Sequence, residues 1–225
     1  MSAGVLFDVD GTLVDTSYLH AVTWWEALRQ HDHEVPMARI HRAIGMGSDR
    51  ILDHLLGEDH DRAADDELRA AHASLYGQYW DRVRAQPEAA DLLRACAARG
   101  LRVGLASSAS PREMAVLRRA LDADDVLGAA SDAGDARSSK PDPDILAATL
   151  ADLGLPADRV IFVGDTVWDV YAAGKLDIPC VALSCGGVSA AELREAGAIE
   201  VYAGPAELRD RLPHSAIGAL RPDSH

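Results

Sequence analysis

Short apolar runs that end in polar residues recur along this chain. The first covers residues 4–8, and similar runs follow at 101–106, 160–163 and 178–183, with a weaker one at 126–130. Amphipathic helical patterns separate the later runs, over 88–99, 111–121, 144–153 and 167–175. Continuous apolar strands alternating with such helices predict an α/β fold, a parallel sheet covered by helices on both faces. In open sheets of this kind ligands bind outside the carboxyl ends of the strands. The polar residues that follow each run are therefore where chemistry is expected.

One interval breaks the alternation. Between the first strand and Pro87 the chain is helical in period and almost free of strand character, with segments at 18–30, 39–44, 49–56 and 66–83. This predicts an all-helical insertion over residues 15–84, carried by a core made of residues 1–14 and 85–225. The polar tail from Pro213 is expected to be poorly ordered.

Four of the run ends are chemically loaded. The first reads Phe7-Asp8-Val9-Asp10-Gly11-Thr12. Strand residues two apart point the same way, which brings Asp8 and Asp10 to one face. Two adjacent carboxylates repel unless a cation or a shared proton compensates. The second end offers Ser107 and Ser108, which would serve an anion or simply cap the helix beginning at Pro111. Lys140 lies in a Ser-Ser-Lys-Pro-Asp-Pro-Asp stretch, and Asp165 and Asp169 follow the fourth strand, where they would also suit a helix N-terminus.

Composition sharpens this picture. Of 22 basic residues only Lys140 and Lys175 are lysines. The formal net charge of -14 argues against nucleic acid or an anionic membrane as partner. It also means that an anionic substrate needs a strong local cation. No apolar run approaches the roughly 20 residues of a membrane span. No basic segment precedes the first strand, so no cleaved signal is expected. Cys96, Cys180 and Cys185 lack zinc-like spacing and read as free thiols, in keeping with a cytoplasmic location.

The segment from Phe7 to Thr16, with Ser107, Lys140, Asp165 and Asp169, resembles the four motifs of the haloacid dehalogenase superfamily across nearly the whole chain. The helical insertion resembles the cap of its phosphoglycolate-phosphatase and beta-phosphoglucomutase-like subgroup. The resemblance implies a Rossmann-like core under a helical cap. It also implies a Mg2+-dependent phosphatase acting on a small phosphorylated metabolite of the phosphoglycolate or sugar-phosphate type. Asp8 would be the nucleophile and a protonated Asp10 the general acid. Ser107 and Lys140 would clamp the phosphoryl group. Asp8, Asp165 and the Asp10 carbonyl would hold the ion, with Asp169 beside them. Dehalogenases of the superfamily lack the acid at position 10, and phosphonate-cleaving relatives need a cap lysine that residues 15–84 do not contain.

A sugar-phosphate mutase is the alternative, since Thr16, His20 and Trp24 follow the first motif as they do in beta-phosphoglucomutase. Gly164 before Asp165 is instead the phosphatase form. A receiver domain, which uses a similar residue set, would place its aspartate after a central strand of a shorter chain. Gly45, Ser108, Arg50 and His20 are the substrate-side candidates. Gly45 and Arg50 lie in a loop that reads equally as a helix-helix turn with Arg50 exposed, and His20 as a hinge residue. His31, His33, His54 and His60 read as solvated positions. Oligomeric state is not legible here.

Overall fold

The computed structural model describes residues 2–221. Strand β1 (Gly4–Phe7) opens the chain. Four helices follow, α1 (Ser17–Gln30), α2 (Met37–Ala43), α3 (Ile51–Leu56) and α4 (Asp65–Gly77). Next come α5 (Ala89–Ala98), β2 (Arg102–Ala106), α6 (Pro111–Leu121), β3 (Leu127–Ser131) and α7 (Asp144–Leu153). The chain continues through β4 (Val160–Gly164), α8 (Val167–Gly174), β5 (Cys180–Leu183), α9 (Ala190–Ala196) and β6 (Glu200–Tyr202). Helices α10 (Pro205–Arg211) and α11 (Ala216–Ala219) end it.

The six strands form one sheet in the order β3-β2-β1-β4-β5-β6, with parallel pairing throughout. Each strand sends alternate residues to opposite faces, and the core divides accordingly. Val5, Phe7, Leu105 and Val163 face Leu92, Leu117 and Leu208 on one side. Leu6, Phe162 and Ala182 face Leu146, Val170 and Leu193 on the other. Both faces are therefore apolar, which is why the strands read as unbroken hydrophobic runs. β1 sits between β2 and β4, so its carboxyl end opens at the middle of the sheet.

Helices α1–α4 fill the interval between β1 and β2 and enclose an apolar cluster of their own, including Trp24, Leu28, Ile40, Leu52 and Leu68. Trp24 is the buried member of the tryptophan pair, stacked on His72, whereas Trp25 lies under the Arg29 guanidinium. The last predicted helix of this group stops early. It ends at Gly77, and a separate 3-10 turn at Trp80–Arg82 precedes buried Val83. Glycine is a weak helix former, which fits a stop at that point.

Two further departures lie near the C-terminus. β6 is a three-residue edge strand, too short and too mixed in character to announce itself. The tail beyond Pro213 is ordered through Leu220: Ser215 caps α11, and Ile217 is fully buried in the main core. Residues 222–225 of the predicted loose tail lie outside the described residues. Cys96 and Cys180 are buried free thiols, and half-buried Cys185 directs its Sγ to the Gly11 carbonyl at 3.3 Å. Among the described residues no helix is long and apolar enough to cross a membrane.

Candidate functional site

The ends of β1, β2 and β4 and the loop before α7 bring six predicted residues together: Asp8, Asp10, Ser107, Lys140, Asp165 and Asp169. Asp8 follows β1 directly, and its backbone N–H donates to the Val163 carbonyl at 2.8 Å. Gly11, at φ +80°, turns the chain away beneath it.

Lys140 is 1% exposed and is the cation of the cluster. Its Nζ contacts Asp8 Oδ1 and lies 2.9 Å from Asp169 Oδ1. Asp169 also caps α8. Its Oδ2 accepts from the Thr166 hydroxyl at 2.7 Å and the Thr166 N–H at 3.0 Å, while its own N–H donates back to Thr166 Oγ1. This reciprocal arrangement satisfies helix-end donors and fixes the carboxylate.

Thr12 joins the remaining two acids. Its buried hydroxyl lies 3.0 Å from Asp8 Oδ2 and 2.7 Å from Asp165 Oδ1. A hydroxyl has one proton to donate, so the two carboxylates share a single donor. Asp165 Oδ2 is wedged between glycine backbones: a Cβ on Gly11 would stand 2.5 Å from it, and one on Gly186 would overlap it.

Oxygens of Asp8, Asp165 and Asp169 all lie within 4.8 Å of one another. One ammonium facing three buried carboxylates leaves an excess of negative charge, and the protonation equilibria record it. Burial raises the Asp8 carboxyl to about 7; Lys140 opposes this, and Asp169 and Asp10 add to it. Asp165 is raised well above the ordinary carboxylate range by burial, then by Asp169 and Asp8. Lys140 is held protonated: burial works against its charge, but Asp169 and Asp8 outweigh it. Such a group needs either protons or a cation. All the donors are hard oxygens, as Mg2+ prefers, and neither His nor Cys belongs to the cluster. The residues fit that ion.

Asp10 serves a different network. Its Oδ1 accepts from the Thr16 hydroxyl at 2.8 Å and lies 3.2 Å from His20 Nε2; its Oδ2 accepts from Ser107 at 3.2 Å. Burial alone would raise its pKa, but the His20, Thr16 and Ser107 hydrogen bonds bring it below the ordinary value. Conversely, burial disfavours the His20 cation and Asp10 restores it, so His20 is raised. Both shifts favour a charged Asp10 beside a protonated His20 in the resting pair, with Asp10 still placed to relay that proton. His20 Nδ1 is 3.3 Å from His72 Nε2. Burial and then the His20 charge keep His72 uncharged.

Above these groups lies a cavity of about 360 Å3 whose lining includes Asp8, Asp10, His20, Ser108 and Gly45. Gly45 adopts φ +100°, and a Cβ there would stand 2.6 Å from Thr166 Oγ1. Arg50 is not brought to this cavity. It pairs with Asp142 and approaches Ser138 at 3.4 Å, half-exposed, because Asp142 on the core offers a carboxylate within reach. Other bonds tie the same helices to the core: His41 Nε2 to the Gly186 carbonyl, Trp168 Nε1 to the Arg42 carbonyl and Ser139 N–H to Asp49.

His60 also departs from expectation. Its side chain is buried, with Nδ1 2.7 Å from the Gly57 carbonyl and Nε2 2.8 Å from Asp65. Its ring nitrogens face a carbonyl and a carboxylate, and the Asp53-His60-Asp65 group, joined by Arg62 and Arg69, forms an ion-pair cluster.

Sequence reasoning assigned no role to Thr12 or His72. Thr12 stood inside the first motif. His72 lacked a motif, although Asp65, Leu68, His72 and Tyr76 form a buried stripe at helical spacing.

Residues 3–177 match the family described as haloacid dehalogenase-like hydrolase. The chain is 30% identical to the phosphoglycolate phosphatase of Escherichia coli (strain K12), over 81% of each protein. A hydrolase from Pseudomonas syringae superposes with a TM-score of 0.90 at 32% identity, covering 96% of this chain and 100% of that one. The beta-phosphoglucomutase of Clostridium difficile shares the fold at a TM-score of 0.82 and 18% identity, over 97% of this chain and 98% of that one.

Proposed function

The chain belongs to the haloacid dehalogenase-like hydrolases, and from that premise we propose that it is a Mg2+-dependent phosphatase working through an aspartyl-phosphate on Asp8. The observation that carries this reading is the meeting of Asp8, Asp165, Asp169 and Lys140 within one buried cluster, beside the Asp10-His20 pair. The reading includes residues 15–84 as a cap over a core of residues 1–14 and 85–225.

Phosphate esters resist nucleophiles because their oxygens are negative, so charge must be neutralised and the nucleophile held in line. A magnesium ion held by Asp8, Asp165 and the Asp10 carbonyl, with Asp169 adjoining, would supply that neutralisation. Lys140 orients the Asp8 carboxylate and, with Ser107, steadies the phosphoryl oxygens. An Asp8 oxygen forms the bond to phosphorus while the bond from phosphorus to the alcohol oxygen breaks. The departing alkoxide takes a proton from the Asp10-His20 pair. Asp10 takes the proton of His20 Nε2 on Oδ1 and delivers it to the alkoxide, while Ser107 donates to Oδ2. In the second half Asp10 removes a proton from water, the hydroxide attacks phosphorus, and Asp8 is released with inorganic phosphate.

The partner in this reading is a small phosphorylated metabolite of the phosphoglycolate or sugar-phosphate type. Asp8→Asn tests it, since an amide cannot form the acyl phosphate. Turnover of p-nitrophenyl phosphate with Mg2+ should vanish in that variant, whereas an unimpaired rate would refute the nucleophile assignment.

A further inference from the structure

The cavity over Asp8 and Asp10, at about 360 Å3, falls within the size range of small-molecule pockets. A two-carbon leaving group would fill little of it. Charge is equally telling. Arg69 is the one arginine or lysine among the described residues lining this space, and its nitrogens are committed. Nε donates to the Ser48 carbonyl at 2.8 Å, Nη1 to Asp66 at 2.9 Å and Nη2 to Asp65 at 3.2 Å. Arg50 is engaged by Asp142 outside the cavity. The His20 ring is committed at both nitrogens, to Asp10 and His72. Glu113, in the first turn of α6, adds a carboxyl group to the wall.

What remains for a leaving group is neutral. Trp24, Ile44 and Met46 supply apolar surface, and Ser48 and Ser108 supply hydroxyls. The Ser108 Oγ is buried and makes no hydrogen bond within the protein. A substrate hydroxyl would give it a partner, which is favourable for a buried polar atom. A substrate carboxylate would lose its water facing Glu113 and Asp10, and could recruit Arg69 only beside the Asp65 and Asp66 carboxylates already paired with it.

Resting on the phosphatase reading, we propose that the substrate is the phosphomonoester of an uncharged, hydroxyl-bearing alcohol larger than two carbons, a polyol or sugar phosphate, and that leaving groups carrying a carboxylate are disfavoured. This narrows the chemistry away from the acid named for the Escherichia coli relative.

The test is kcat/KM for the full chain with Mg2+ on pairs that differ in a carboxylate. Glycerol 3-phosphate is set against 3-phosphoglycerate, and glucose 6-phosphate against 6-phosphogluconate, with p-nitrophenyl phosphate as a general probe. The neutral member of each pair should be preferred by about ten-fold or more, and Glu113→Gln should shrink that ratio by roughly three- to ten-fold. The glutamine retains the capping arrangement with Ser110. A ratio at or below one in either pair, or a preference for 2-phosphoglycolate over both neutral esters, would overturn the proposal. No hydrolysis of any ester, p-nitrophenyl phosphate included, would instead overturn the phosphatase reading and this inference with it.

Discussion

Lys140 Nζ stands 2.9 Å from Asp169 Oδ1, and both side chains are about 1% exposed. Neither charge has solvent to fall back on, so each depends on the other. Lys140→Met would leave Asp8 and Asp169 in mutual repulsion without their shared ammonium. The loss expected for breaking such a buried pair is about 3–5 kcal/mol of folding stability. Urea denaturation measures it, and a variant within about 1 kcal/mol of the parent would speak against the pairing. Under the proposed mechanism turnover should also fall by more than about a hundred-fold, because the cation proposed to steady the phosphoryl oxygens is gone.

The raised Asp8 carboxyl sets a pH dependence whose sign is definite. In the folded chain without Mg2+ it titrates at about 7, against an ordinary value of 3.8. The folded state therefore holds a proton that the unfolded chain has already released. This contribution is fully present below the unfolded value and is lost as pH rises through the folded one. Mg2+ bound as proposed would compete with that proton. Its upward shift of the melting temperature should be small at pH 5 and larger at pH 8, measured by scanning calorimetry. An equal shift at both values would contradict the linkage.

In the proposed mechanism His20 and Asp10 share one proton that rests on the imidazole, whose pKa lies above its ordinary value. With His20→Gln, burial still raises the Asp10 carboxyl, but the charged hydrogen bond that lowers it is gone. The proton would then rest on a carboxyl group rather than on an imidazolium. The alkaline limb of the kcat/KM profile is expected to move to lower pH by roughly one unit. Esters with alkoxide leaving groups should suffer more than p-nitrophenyl phosphate, whose leaving group needs little protonation. An unmoved profile would exclude His20 from the proton path.

Gly45 occupies φ +100° with no room beside Thr166. Gly45→Ala meets both constraints at once, a backbone region costing about 1–3 kcal/mol for a side chain and a collision with the loop that caps α8. A fall of about ten-fold in kcat/KM is expected, mostly in KM, because the displaced loop forms part of the cavity wall. Steady-state kinetics on p-nitrophenyl phosphate would show it.

The main features of the sheet were legible because parallel strands covered on both faces, such as β1 and β4, leave unbroken apolar runs. β6 escaped notice as a short, half-buried edge. The loops after β1, β2 and β4 could be identified because their acids and hydroxyls follow immediately on those runs. Pairings between distant side chains could not. Arg50 meets Asp142 and His20 meets His72 only once the helices between β1 and β2 have packed on the core and on one another. The protonation of Asp10 belongs to the same class, since its direction depends on which neighbours donate to it.

The seat of Asp165 between Gly11 and Gly186 has an implication for reading related chains. The carboxylate occupies the space where either glycine would otherwise carry a methyl group. A homologue could retain every acid, the lysine and the serine, yet carry alanine at one of these two places and lose the proposed ion site through crowding alone. An inventory of charged residues would pass such a protein as intact; a single added carbon atom would set it apart.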